Sequence, residues 1–589
     1  MSTVSTITEP RVQAPAGGAT PAEGAAPTHD AIPELSHRQI LEVLSGLLVA
    51  LLVTNMAGTV VGTALPRITA QLGASEQQYM WVVTATLLAS TASTPIWGKL
   101  ADLFDKKRLI MIGLTIFIVG SVLSGAATSP MFLIEARAFQ GIGLGAMQAL
   151  VQAIIGSIIP PRKRGRYMAY TGAVMAIATV GGPLVGGFIV DTSWLGWRWC
   201  FWSAIPFAII AIVILQWRLQ VPHLYRKDTR VDWLGAALIT AAVSAVLIWI
   251  SFATKSYAWL SWQTFAMLGF AVVASVLFVL VERRVPNPII PLPIVTMRVT
   301  ALAILASISV GVALFGAAVF LAQYYQLGRG MSPTKSGLMT TPMMVGVLIS
   351  SLFIGRLVSR LGIWKPFVVA GAILLTVGGF LMSTIRVDTS LTVIGVYMVI
   401  LGFGVGMLMQ NLVLAVQNSV SVRDVGAATG TVTFFRSLGG AVGIQALGFV
   451  FEKRMTNAVT AGLPDIIRAA VTADATANPA AAQTCAALAQ NPAGLSQAAA
   501  QCPNTAAIFA DAASLQASGG GTMNMSIFHS DAFRTLLTTS IADTIGKLFL
   551  IAGFISVISI VSVFLMRSTR LRTRFDEATP EGQSGLGDE

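Results

Sequence analysis

The chain has 589 residues, of which 54% are hydrophobic and 11% charged, with a net charge of +12. Soluble domains carry about 25% charged residues, so the composition excludes a soluble globular protein and points to one threaded repeatedly through a bilayer. No GxxxxGK motif followed by Ser or Thr, no HExxH and no paired CxxC occurs. An ATP-driven pump and a zinc enzyme are thereby excluded, and no cofactor or metal is expected.

In chain order, residues 1–38 are rich in Ala, Pro, Thr and Gly and read as a disordered tail. Apolar spans of about 20 residues then predict fourteen transmembrane helices. They lie near 40–65, 79–98, 109–128, 131–156, 167–190, 200–220, 232–252, 263–282, 299–327, 337–357, 366–385, 391–418, 427–450 and 542–566. Between the last two, 453–541 is an Ala-rich extracytoplasmic loop with expected helical stretches that could cap the outer mouth. Its Cys485 and Cys502 would form a disulfide in an oxidising compartment or remain free thiols, while Cys200 stays single.

Loop charge sets the orientation. With the N-terminus inside, "GKLADLFDKKR", "PPRKRGR", "YRKDTR", "GRLVSRLGIWK" and "RSTRLRTR" all face the cytoplasm, against Arg67, Lys255, Arg329, Lys335 and Arg386 outside. The positive-inside rule favours this arrangement in the cell membrane, with both termini, including the tail 567–589, cytoplasmic. It also accounts for the basic charge without nucleic acid as a partner.

A repeat orders the helices. "GKLADLFDKKR" after helix 2 matches "GRLVSRLGIWK" after helix 10 at Gly98/Gly355, Lys99/Arg356, Leu100/Leu357 and Arg108/Lys365, and both helices carry Thr-Pro. Helices 1 to 6 (39–220) then correspond to 9 to 14 (298–566), with helices 7 and 8 (231–285) inserted between them. This is the parallel repeat of an alternating-access transporter. The expected fold is an all-α membrane protein of fourteen transmembrane helices, two six-helix pseudo-repeat bundles and two inserted central helices.

These residues carry a resemblance. "GKLADLFDKKR" is similar to the loop signature of the major facilitator superfamily, "RAFQGIGLGA" from Arg137 to its helix 4 signature, and "TVGGPLVGG" from Thr179 to its antiporter signature. "TVVGTALPRI", "WVVTATLL", "VDWLGA" and "TGTVTFFRSLGGAVG" resemble the fourteen-helix drug:proton antiporter family in particular. The resemblance implies multidrug efflux: a lipophilic small-molecule substrate exchanged for protons by a monomeric, non-enzymatic carrier in the lipid bilayer. It also implies that Asp102, with Gly98 and Arg108, gates the cytoplasmic side. Gly181, Gly182, Gly186 and Gly187 would let a neighbouring helix approach closely, and Pro183 would bend helix 5. The sequence departs from the family where Ala57, Gly62 and Thr86 replace an Asp, an Asn and a Tyr. Proton coupling would then need another carboxylate.

Two acids lie at membrane level. Glu135 in "LIEARAFQ" is either a desolvated proton carrier or a side chain that snorkels to the headgroups. Asp543, four residues before Lys547, is either a second proton site or half of a helical ion pair. Arg137 shares a stripe with Gly141, Gly145 and Gln148 and is expected to face the central cavity. Polar or aromatic candidates for that cavity are Asn55, Thr59, Gln140, Gln148, Gln323, Tyr324, Tyr325, Gln410, Asn411, Phe434, Phe435 and Arg436, since an amide facing lipid would be unsatisfied. Other readings stay open: export of a lipid or envelope metabolite, an uncoupled facilitator, or a membrane sensor whose outer loop binds ligand.

Overall fold

A computed structural model describes residues 36–74, 76–192, 194–219, 230–252, 261–490, 500–517 and 529–573. The expected tail 1–38 lies almost wholly outside them, as does most of 567–589. Fourteen long helices form the framework: α1 (His37–Leu72), α2 (Glu76–Leu103), α3 (Lys106–Gly125), α4 (Pro130–Ile158), α5 (Pro161–Asp191), α6 (Ala204–Arg218), α7 (Trp233–Phe252), α8 (Trp262–Glu282), α9 (Arg298–Gln323), α10 (Thr341–Leu361), α11 (Lys365–Met382), α12 (Leu391–Ser419), α13 (Val425–Ala477) and α14 (Asp531–Leu565). Among the described residues, thirteen spans are long and apolar enough to cross a bilayer. Helix α2 falls outside that number, because Thr84, Thr86, Ser90, Thr91, Ser93 and Thr94 lower its hydropathy.

Short polar residues start these helices. The Asp105 side chain accepts from Lys107 N at 2.8 Å, and Ser129, Ser390 and Ser530 each accept from the backbone N–H three residues on. Each satisfies a donor that the first turn leaves orphaned. Gly362, at φ 74°, closes α10 in the left-handed conformation that glycine adopts at least cost.

The packing repeats. Helix α1 lies against α5 and α6 as α9 lies against α13 and α14, and α4 lies against α2 and α3 as α12 lies against α10 and α11. The two bundles meet where α2 crosses α13 and where α10 crosses α5. Both crossings are glycine contacts near the same end of the helices, the face that carries the basic loops, called here the basic face. A Cβ on Gly98 would lie 2.7 Å from the Gly426 carbonyl, and one on Gly355 would lie 2.5 Å from that of Gly165. The matched glycines of the two basic loops thus mark equivalent crossings. The next turn is equivalent too: Asp102 of α2 accepts backbone N–H groups at the start of α13, and Ser359 of α10 accepts Arg166 N of α5 at 2.9 Å.

Helices α7 and α8 pair with each other, and α7 packs on α2 and α13. Asp232 begins α7 by accepting Gly235 N at 2.8 Å, and Glu282 at the end of α8 accepts Ile289 N and Ile290 N. The outer side of α8 leaves Phe265, Phe270, Val272 and Val273 exposed, as a lipid-facing helix requires.

The segment expected as a loop from 453 is largely helix. Helix α13 runs through Pro464 to Ala477, followed by helices Ala482–Gln490 and Pro503–Ala517. Ala is the strongest helix former, so a segment too polar for a membrane span still propagates the helix. Asp474 fixes the return by accepting from Asn504 N, Thr505 N and both their side chains. Cys485 and Cys502 are joined, with Cα atoms 5.6 Å apart, and Cys200 is free and buried.

Two outcomes follow. Gly98→Val should express but lose most transport, because the crossing cannot close around a branched side chain. Gly58→Ala, which meets nothing within 4 Å, should transport normally in the same vesicle assay. Alkylation of denatured, unreduced protein should block one thiol, Cys200, whereas three blocked thiols would refute the bridge.

Candidate functional site

The α2–α13 crossing is an electrostatic contact as well as a steric one. The first N–H groups of a helix have no partner within it and carry the positive end of its dipole. At the start of α13 those of Gly426 and Ala427 donate to Asp102 Oδ1 and Oδ2 at 2.8 and 2.6 Å. Glycine at 98, 426 and 430 removes the side chains that would hold the backbones apart. Burial pushes the Asp102 carboxyl up to about 7, against the opposing pull of Lys106 and the two N–H donors. Arg108, named with Asp102 on sequence grounds, is exposed 3.8 Å from Asp105 and lies outside this contact.

Behind the crossing a buried network joins the bundles. Arg164 of α5 donates to Gln417 Oε1 of α12 at 2.9 Å and to the carbonyls of Ile159 and Gly156. Gln417 in turn donates to Thr429 Oγ1 of α13 at 2.8 Å and to the Gln152 carbonyl of α4 at 3.3 Å. The chain after α14 then crosses the basic face. Arg572 N donates to Asn418 Oδ1 at 3.0 Å, its guanidinium donates to the Val420 carbonyl at 2.8 Å, and its own carbonyl accepts Arg162 N at 3.0 Å. Leu571 N donates to the Gly362 carbonyl at 3.0 Å. This tail therefore ties the start of α5 to the ends of α10 and α12. Sequence reading missed it, since "RSTRLRTR" looks like any basic loop.

Towards the middle of the chain's membrane part, amides gather between the bundles. Gln148 donates to Asn55 Oδ1 at 3.1 Å, and Gln152 donates to Gln410 Oε1 across the interface at 3.3 Å. Gln152 Oε1 and Gln410 Nε2 are buried with no hydrogen-bond partner. Asn411 is buried and donates to the Met407 carbonyl of its own helix. Thr59 donates to the Ala178 carbonyl at 3.1 Å, beside the point where Gly182 lets α1 and α5 approach. Gly181 also faces α1 at Met56. Gly186 is buried, Gly187 is half-buried, and α5 continues through Pro183 as helix.

Other nominated residues stand elsewhere. Arg137 donates to Gln140 Oε1, Gln140 donates to Ser121 Oγ of α3 at 2.8 Å, and the Arg137 guanidinium lies 5.8 Å from the Phe201 ring. The pair thus occupies the inside of the first bundle, because α4 is surrounded and its long side chain reaches α3 rather than the interface. Tyr324 and Tyr325 are fully buried in a π-helical turn, bonded to the Arg386 carbonyl and Met398 Sδ. Gln323 Oε1 has no partner. Phe434 packs with the inserted helices, edge-on to the half-buried Phe435. Ala57 is buried among Phe117, Ala204 and Ala208, an apolar setting for the position where the family places an acid.

The two membrane-level acids are not enclosed. Glu135 is not covered by the protein and faces outward from the first bundle. Asp543 is held by Lys547 and by Arg386 at 3.6 Å, with its side chain 40% exposed.

Residues 47–444 match the family model described as Major Facilitator Superfamily. The chain is 35% identical over 421 residues to the multidrug transporter protein MdtP of Bacillus subtilis (strain 168), covering 71% of this chain and 76% of that one. It is 32% identical to multidrug resistance protein 3 of the same organism, over 70% of this chain and 80% of the relative. Among solved structures, the proton:xylose symporter XylE superposes with a TM-score of 0.53 at 15% identity, over 71% of this chain and 90% of that chain, a likeness of fold. The chain belongs to the major facilitator superfamily: it is a multi-pass membrane transporter rather than an enzyme.

Proposed function

We propose that this protein exports lipophilic small molecules from the cell by alternating access, in exchange for protons. In this reading the basic face is cytoplasmic, both termini lie there, and the carrier works as a monomer in the cell membrane. The observation that carries it is the pair of glycine crossings at one face, one of them locked by Asp102, with a layer of amides and an arginine behind it. Closing at that face leaves a polar layer that opening of the crossings would expose to the cytoplasm. Apolar walls with a few placed polar groups suit a small-molecule site. The similarity to a multidrug transporter and a multidrug resistance protein of Bacillus subtilis supports this reading.

Coupling is assigned to Asp102 and Asp543 rather than Glu135. A carboxyl whose pKa rises when the crossing closes is protonated in the closed state and releases its proton to the cytoplasm on opening, and Asp543, near the outer end of α14, is assigned to admit that proton from outside. The apolar packing of Ala57 favours a second reading, an uncoupled facilitator.

Everted vesicles carrying the protein should accumulate a lipophilic dye only when a pH gradient is imposed. Glu135→Gln should accumulate it normally, and Asp102→Asn should lose the dependence on the gradient. Equal flux with and without the gradient would establish the facilitator, and binding without flux would establish a receptor.

A further inference from the structure

Arg436 is a buried charge without a partner. It lies on α13, its side 5% exposed, and among the described residues it makes no hydrogen bond or ion pair. A buried arginine is ordinarily paired, because an uncompensated charge in low dielectric is costly. Arg137 and Arg164, the comparable buried arginines of the first bundle, both have acceptors.

The helical repeat sets the level of Arg436 along α13. Thr429 of α13 bonds Gln417 of α12, and the two helices run in opposite directions. Seven residues are about two turns, so seven residues away from the basic face on each helix stand Arg436 and Gln410. Gln410 reaches Gln152 of α4 across the interface between the bundles. Register thus sets Arg436 level with the amide layer of Asn55, Gln148, Gln152 and Gln410, its own backbone packed on Gly311 of α9.

Among the described residues that layer holds no counter-ion. Apart from Glu135 and Asp543, the acids of the described helices stand near their ends or in the extension of α13. Glu135 is exposed, and Asp543 is engaged by Lys547 and Arg386. Asp102 is spent on α13, and Asp232 and Glu282 cap the inserted helices. The family's helix 1 acid, which would complement a cation, is replaced by Ala57.

We infer that the central site selects lipophilic molecules bearing an anionic group, with Arg436 as the residue that recognises the anion and the amides of Gln152 and Gln410 beside it. A guanidinium matches a carboxylate or phosphate in a two-pronged geometry, and the unpaired amide atoms supply both a donor and an acceptor. A permanent cation would meet a positive charge with nothing to offset it. The inference rests on the export reading for its purpose but not for its test.

The test is binding to purified protein in a neutral maltoside detergent, read by dansyl fluorescence. The probes are dansyl-labelled undecanoic acid, its methyl ester, and a dansyl-labelled quaternary ammonium of the same length. Wild-type protein should bind the acid ~10-fold or more tightly than the ester, and bind the ammonium more weakly than the ester. Arg436→Gln should bring acid and ester together, and Arg436→Lys should keep most of the preference. Equal binding of acid and ester by wild type, or tightest binding of the ammonium, overturns the inference even if Arg436→Gln fails to fold. So does an unchanged preference in folded Arg436→Gln. Acid-selective binding by a protein that pumps nothing into vesicles would uphold the inference and defeat the export reading instead.

Discussion

One carboxylate reaching two backbone N–H groups at the start of a helix holds the bundles together at the basic face. Charge-assisted hydrogen bonds contribute about 1.5–3 kcal/mol each, and the helix dipole adds roughly 0.3–1 kcal/mol. Desolvation of the ionised carboxyl outweighs these contributions, as its raised pKa records, so closure favours the protonated form. The balance is of the size that separates two conformations of a working carrier, a few kcal/mol. A stronger lock would trap one state, and a neutral one would leave closure insensitive to protons.

The repeat makes the asymmetry informative. At the equivalent crossing Ser359 takes the place of Asp102 and accepts Arg166 N. The two seams share their glycine contacts and differ in charge: one carries a titratable carboxyl, the other a neutral hydroxyl. The tail through Arg572 lies beside the neutral seam, where it adds backbone hydrogen bonds from α5 to α10 and α12. The inserted helices sit beside the charged seam, where α7 packs on α2 and α13.

Much of this was legible in the sequence, and the reasons are physical. Apolar length gives helix positions, since a bilayer admits few other structures. An acid among four bases in "GKLADLFDKKR" contributes nothing to topology, which singled out Asp102. The compartment favoured a disulfide between Cys485 and Cys502 over free thiols, and the two are joined. Periodicity failed for Arg137: it gives the direction in which a side chain leaves a helix, but α4 has neighbours on every side and the sequence does not say which one the guanidinium meets. Hydropathy likewise ended α13 too early, because it measures fitness for lipid and the Ala-rich extension is helical outside it. The tail contact was invisible because its hydrogen bonds are mostly to backbone, which leaves no pattern in side chains.

The most direct test uses paired spin labels at positions 104 and 423, exposed residues at the facing ends of α2 and α13, in protein reconstituted in nanodiscs. In wild type the closed distance should dominate below the Asp102 pKa of about 7, and a longer distance should gain population as the pH rises through it. With Asp102→Asn the distribution should no longer move with pH. A wild-type distribution that is independent of pH, or one that shifts identically in the Asn variant, would contradict the account.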